Sequence, residues 1–127
     1  MPDPVLSTIP DPALVQQLNG LVGEAETGDS NFEPSAAAAE KAIAAAGAPQ
    51  SEGWIAAQQA LSVAVAARAP VTRAAADLDS LGAQRIQKLG GIAAADLKAI
   101  DAASAKVREI DNREAALIKT LQDRLAG

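Results

Sequence analysis

KLGGIAAADL, residues 88–97, contains the one adjacent pair of glycines in the chain, and the fold turns on how it is read. Ahead of it, Trp54, Ala57, Leu61 and Val65 recur at steps of three and four. Beyond Pro70 the stripe resumes with Val71, Ala75, Leu78, Leu81 and Leu89. After the glycines come Leu97, Ile100, Ala103, Val107, Ile110, Leu117, Leu121 and Leu125, with Glu114 filling the one polar place. Such spacing marks amphipathic helices. Two of them around a two-glycine turn predict a long antiparallel hairpin, about 51–89 and 93–126. A turn centred on the glycines pairs positions whose numbers sum to about 181. Leu89 then meets Ile92, Leu78 meets Ala103, Val71 meets Ile110, Leu61 meets Leu121, and Trp54 lies near Leu125.

Pro70 interrupts the first arm. A proline inside helical periodicity kinks or ends a helix. No Gly, Ser, Asp or Asn stands at 67–69 to close one helix and cap the next, so the expectation is a kinked continuous helix. Ser51 is its N-cap, with Glu52 in the first turn.

Residues 1–10 are punctuated by prolines and read as extended. Asp11-Pro12 is a helix start, an Asp N-cap followed by Pro at the first helical position. Leu14, Leu18 and Leu21 carry that helix to about Glu26, TGDSN (27–31) reads as a loop, and a second short helix runs from Pro34-Ser35 to Ala46. Phe32, Ala36, Ala39 and Ile43 supply its narrow apolar face. Residues 11–50 are thus expected to form two short acidic helices against the hairpin at 51–127. The whole is one all-α domain, a three- or four-helix bundle with coiled-coil-like seams.

Of 127 residues, 32 are alanine, the best helix former but one that buries little area. Net charge is −5, and the acids are concentrated in the first fifty residues. That half would be repelled by phosphate and the rest has no dense basic patch, so nucleic acid is not an expected partner. The longest uncharged run, Gly53 to Ala67, is too short and too polar to span a bilayer. Met1-Pro2-Asp3-Pro4 lacks the features of a secretory leader, which points to the cytoplasm. A leader removed ahead of it would make the protein periplasmic instead.

The chain has no His, Cys or Tyr. Zinc, copper and haem therefore lack their usual ligands, and only Asp, Glu and Lys remain for acid–base work. Asp77 and Asp79 point apart on a helix, as do Ser104 and Lys106. Gly20-x-x-Gly23 and Gly90-Gly91 lack the strand–turn–helix setting of a phosphate loop. No catalytic, cofactor or metal site is expected, and the protein is not expected to be an enzyme.

One polar feature stands out. Glu114 falls in the apolar seam, where the hairpin register brings it and Asp111 to Arg68, and a polar pair in a seam can fix register and partner choice. Pro70 also frees a carbonyl that Arg68 or Arg113 could reach. Arg68, Asp111, Glu114 and Trp54 are the candidate interaction residues. The function read from this pattern is a non-catalytic interaction or structural protein working through helix–helix contacts, as a homodimer. The alternative is a small-molecule-binding bundle with a pocket between the N-terminal helices and the hairpin, around Trp54 or Phe32.

Overall fold

The computed structural model describes residues 10–91 and 93–126, the side chains of Lys88 and Leu89 excepted. The extended reading of residues 1–9 and the pairing of Leu89 with Ile92 lie outside the described residues. Four helices follow in order: α1 (Pro12–Ala44), α2 (Glu52–Ala66), α3 (Ala69–Leu89) and α4 (Ala94–Ala126). No strand occurs among the described residues. α1 packs against the other three helices, and α4 packs against α2 and α3.

The two short N-terminal helices expected from the sequence are a single helix of 33 residues. TGDSN is not a loop, because the stripe that buries α1 does not stop there. Leu14, Leu18, Ala25, Gly28, Phe32, Ala36 and Ala39 are all buried, at steps of three and four through the polar run (Leu21, between Leu18 and Ala25, is half-buried). Pro34 sits inside the helix, on its exposed side. It removes one backbone hydrogen bond, at a local cost of about 3 kcal/mol. Tertiary burial of the stripe on both sides outweighs that cost, as it does for most helices in proteins.

The helix expected as the first arm of a hairpin is also divided. Helical bonding breaks at Ala67 and Arg68, giving α2 and α3 in place of one helix. Both residues nevertheless keep right-handed helical backbone, φ/ψ −67/−11 and −76/−13. Pro70 has no N–H to donate, and the turn tightens around that gap. Arg68 N–H reaches Val65 O at 3.2 Å and Val71 N–H reaches Arg68 O at 3.1 Å, both three residues back. The Thr72 hydroxyl donates to Ala69 O at 3.0 Å. The result is a tightened turn joining the two helices.

Gly28 explains how α1 crosses that joint. A Cβ there would stand 2.9 Å from Pro70 Cβ and 3.3 Å from a Val71 methyl. The rigid proline ring cannot yield as a flexible side chain would. Gly28→Ala is therefore expected to destabilise by about 1–3 kcal/mol through overpacking, despite alanine's better helix propensity. Gly20→Ala, where a Cβ meets open space, should instead stabilise by about 0.5–1 kcal/mol. Urea melts of the two variants would test this, and equal effects of the same sign would refute the close approach.

The helix ends follow local chemistry. Ala13 N–H donates to Asp11 Oδ1 at 3.0 Å, and Trp54 N–H to Ser51 Oγ at 3.2 Å. Gly90, at φ 68°, closes α3 in the left-handed conformation that glycine adopts without steric cost. One end of the bundle is tied by a cluster that the sequence reading did not name. Arg85 reaches Asp11 Oδ2 and Asp96 Oδ2, each at 2.9 Å, while Asp11 N–H donates to Asp96 Oδ1 at 2.9 Å. The Arg85 hydrogen bond, with that of Ala13 N–H, holds the Asp11 carboxyl below its ordinary range.

The apolar interior is in two parts. One holds Leu14, Leu18, Ala25, Ala74, Leu78, Ile100, Ala103 and Val107. The other holds Phe32, Ala36, Ala39, Leu61, Ala64, Ile118 and Leu121. Along α1 they meet between Ala25 and Phe32, and along α4 between Val107 and Ile118. Polar side chains occupy that gap.

Candidate functional site

Each long rod contributes to this polar layer. The α2–α3 joint projects Arg68, α4 supplies Asp111 and Glu114 one turn apart, and α1 supplies Asp29. Arg68 Nη2 contacts Asp111 Oδ1 at 2.5 Å and also donates to the Asp111 carbonyl at 3.3 Å. Its Nε lies 3.7 Å from Glu114 Oε1, close enough for charge attraction but too far for a hydrogen bond. Arg113, mostly in solvent, turns the other way. Its Nη2 donates to Asp29 Oδ2 at 2.7 Å, and its Nη1 lies 3.7 Å from Glu33 Oε1.

Glu114 is only 1% exposed. Both of its carboxylate oxygens, together with Asp29 Oδ1 and Arg68 Nε, are buried without a hydrogen-bond partner. Burial pushes the Glu114 carboxyl up to about 7, and the neighbouring Asp29 carboxylate pushes the same way. Arg68 opposes the shift, but its best hydrogen bonds go to Asp111. A carboxyl in this setting is neutral at mildly acidic pH and can then donate to its neighbour.

Three of the four residues named from the sequence, Arg68, Asp111 and Glu114, therefore meet in one layer. Trp54 does not belong to it. It is half-buried at the far end of α2, where its indole N–H donates to Leu125 O at 3.4 Å. Arg113 does not turn toward the Pro70 joint but pairs with α1. Asp29 is the residue that sequence reasoning missed, because it was assigned to a loop. The signal for it was the unbroken spacing Ala25, Gly28, Phe32, which places position 29 beside the buried stripe.

The second feature is the outer side of α2. Ala57, Leu61 and Ala64 face the interior, yet Ile55, Val63 and Val65 are 45%, 59% and 43% exposed. No charge occurs from Gly53 to Ala67. The outer faces of α3 and α4, by contrast, carry Arg73, Asp77, Asp79, Lys98, Asp101, Lys106 and Glu109. Beside α2 lies a groove of about 530 Å³ against the end of α4, walled by Trp54, Leu61, Val65 and Leu125 with Gln58, Ser62 and Gln122. This groove lies outside α1, while a polar hollow of about 600 Å³ falls between α1 and α3, where Gly28 and Asn31 face Pro70 and Arg73. Phe32 is buried and lines only a smaller hollow of about 220 Å³ between α1 and α4.

Among the described residues, no cluster of three or more acidic side chains is arranged to hold a metal ion. No helix among them is long and apolar enough to cross a membrane. No protein-family model matches the chain, and neither the curated proteins nor the solved structures yield a significant match.

Proposed function

We propose that this protein is a non-catalytic interaction module, an α2–α3/α4 antiparallel hairpin with α1 laid along it, that pairs with a second copy of itself through the outer face of α2. The observation that carries this reading is a helix without charge beyond its first residue, Glu52, and with three exposed branched aliphatic residues. A helix that is apolar all round is normally a buried one. α2 has an inner face covered by α1 and α4, and an outer face on which Ile55, Val63 and Val65 stand exposed beside the uncharged Gln58, Gln59 and Ser62. The surrounding helices are charged on their outer sides and the chain carries a net −5. An uncharged strip meets its own copy without charge repulsion and with apolar area to bury, which favours α2 against α2.

The size of that face sets the expected strength. Fifteen residues make a helix about 22 Å long, so one helix pair plus the groove edge falls near the lower end of specific interfaces, about 1,200 Å² in total. Reversible, concentration-dependent dimerisation is the expected result. Light scattering should give a dimer mass at high concentration and a monomer mass on dilution. Ile55→Lys together with Val63→Lys should give monomer throughout, with helicity retained, since both side chains are already largely in water. A monomer mass at every concentration in the wild-type protein would refute the reading.

A small-molecule site is the second reading, and the groove beside Trp54 favours it. Its volume suits a small ligand, but it opens along one side, whereas ligand sites bury most of their guest. Quenching or shift of Trp54 emission by apolar small molecules, without change in mass, would move the assignment to this reading.

A further inference from the structure

We infer that Asp29 and Glu114 share a single proton, and that this proton fastens α1 to α4 at the middle of the bundle. In that arrangement an alkaline environment loosens the central turns of α1. The inference is independent of the α2 surface.

The argument begins with hydrogen-bond supply. Three buried carboxylate oxygens, Asp29 Oδ1 and both of Glu114, have no donor. The donors within reach are committed elsewhere: Arg68 Nη2 to Asp111, and Arg113 Nη2 to Asp29 Oδ2. Arg68 Nε faces Glu114 only at 3.7 Å. The charged groups facing Glu114 are Asp29 and Glu33 from α1, Arg68 from the α2–α3 joint, and Asp111 and Arg113 from α4 itself. Fully ionised, these acids outnumber the bases four to two with Glu114 included. Glu33 lies mostly in solvent, so water screens its charge, but the deficit at Glu114 is internal. One proton removes it. The neutral carboxyl becomes an O–H donor, and the orphaned oxygen of Asp29 becomes its acceptor.

The position makes this contact consequential. It lies between the two apolar clusters, opposite the joint at Pro70 and one turn before Pro34. Backbone hydrogen bonding is already interrupted at both prolines, and the buried contact adds to the more exposed Arg113–Asp29 bond in tying α1 to α4. Asp29 and Glu114 both line the hollow of about 220 Å³ between α1 and α4; with the proton gone, two carboxylates face each other there, and their repulsion drives α1 away from α4.

Carboxyl-carbon NMR titration of the full chain tests the proposal directly. Glu114 should titrate near neutrality, apart from the surface glutamates. Asp29→Asn should lower its proton affinity about tenfold or more, because a like charge is removed. Amide protection across residues 27–33, normalised for intrinsic exchange, should fall about tenfold or more from pH 6 to pH 8 in the wild type, the scale of a one-unit shift. It should stay level in Glu114→Gln, whose amide keeps a donor. The proposal is overturned if Glu114 titrates with the surface glutamates, or if Asp29→Asn leaves its midpoint in place. It is equally overturned if protection at pH 8 is restored by magnesium alone, since a cation would then be the fastener.

Discussion

Replacing Phe32 by alanine should lower the unfolding free energy by about 3–5 kcal/mol, the largest single-residue loss expected in this protein. Phe32 is the one phenylalanine in the chain, and it is 2% exposed. It stands among Ala36, Ala39, Leu61, Ala64, Ile118 and Leu121. Three of those six are alanines, too short to move into the space left behind, and the backbones of α1 and α2 already approach closely across them. The gap should therefore stay open, and the cost should fall toward the upper end of the range. Small domains have roughly 5–15 kcal/mol in total, so the variant should melt at much lower urea concentration or be unfolded outright. Trp54→Ala is the comparison. Its ring is half-buried at a helix end that can relax, and its loss should be smaller despite the larger side chain. Far-ultraviolet circular dichroism in urea gives both values, and a Phe32 cost below about 1 kcal/mol would mean that this half of the interior is not packed as described.

The contrast between Phe32 and Trp54 bears on what the sequence made legible. Local signals with their own chemistry read correctly: Asp11 and Ser51 as caps, the Gly90-Gly91 pair as a break between helices, and α4 from its steps of three and four. What misled was punctuation whose local cost was real but outweighed. Pro34 and TGDSN are unfavourable in a helix, and a reading confined to that window breaks α1 in two. Over a longer window, Leu18, Leu21, Ala25, Gly28, Phe32 and Ala36 keep one face throughout, and burial of that face decides the outcome. Pro70 acted differently. It did break the bonding, because no buried residue at 67–69 rewarded a regular turn there. The same misreading hides Asp29, so the seam group of Arg68, Asp111 and Glu114 is legible in the sequence while the carboxylate opposite Glu114 is not. The exposed face of α2 was legible only in part. The uncharged run is plain in the sequence, but its reading was confined to excluding a membrane span. Which of its residues α1 and α4 would leave uncovered depends on the whole packing.

Stability should fall as pH rises toward neutrality, opposite to the usual behaviour of a protein held by ionised carboxylates. Glu114 titrates at about 7 in the folded chain, above its ordinary value of 4.5, with burial as the main cause. Its carboxyl is therefore protonated in the folded protein and ionised in the unfolded chain between those two values. Folding takes up a proton in that window, and each pH unit gained there removes about 1.4 kcal/mol. The contribution is fully present below about pH 4.5 and is gone once the pH has passed about 7. Between about pH 5.5 and 8 the loss should reach about 2 kcal/mol, in a range that avoids the solubility minimum near the isoelectric point of 4.6. Asp11 has the opposite sign, since its carboxyl is held below the ordinary range by Arg85 and Ala13 N–H. Its contribution is lost only as pH falls below the ordinary carboxylate range, outside this window. Glu114→Gln removes the titrating proton but retains an N–H donor for Asp29 Oδ1. The variant should be level across the same pH range, and at pH 8 at least as stable as the wild type. Urea melts of both proteins at the two pH values decide the matter. A wild-type stability that is flat or rising toward pH 8, or a glutamine variant that keeps the wild-type slope, would place the proton elsewhere and leave Glu114 as an ordinary ion-pair partner of Arg68.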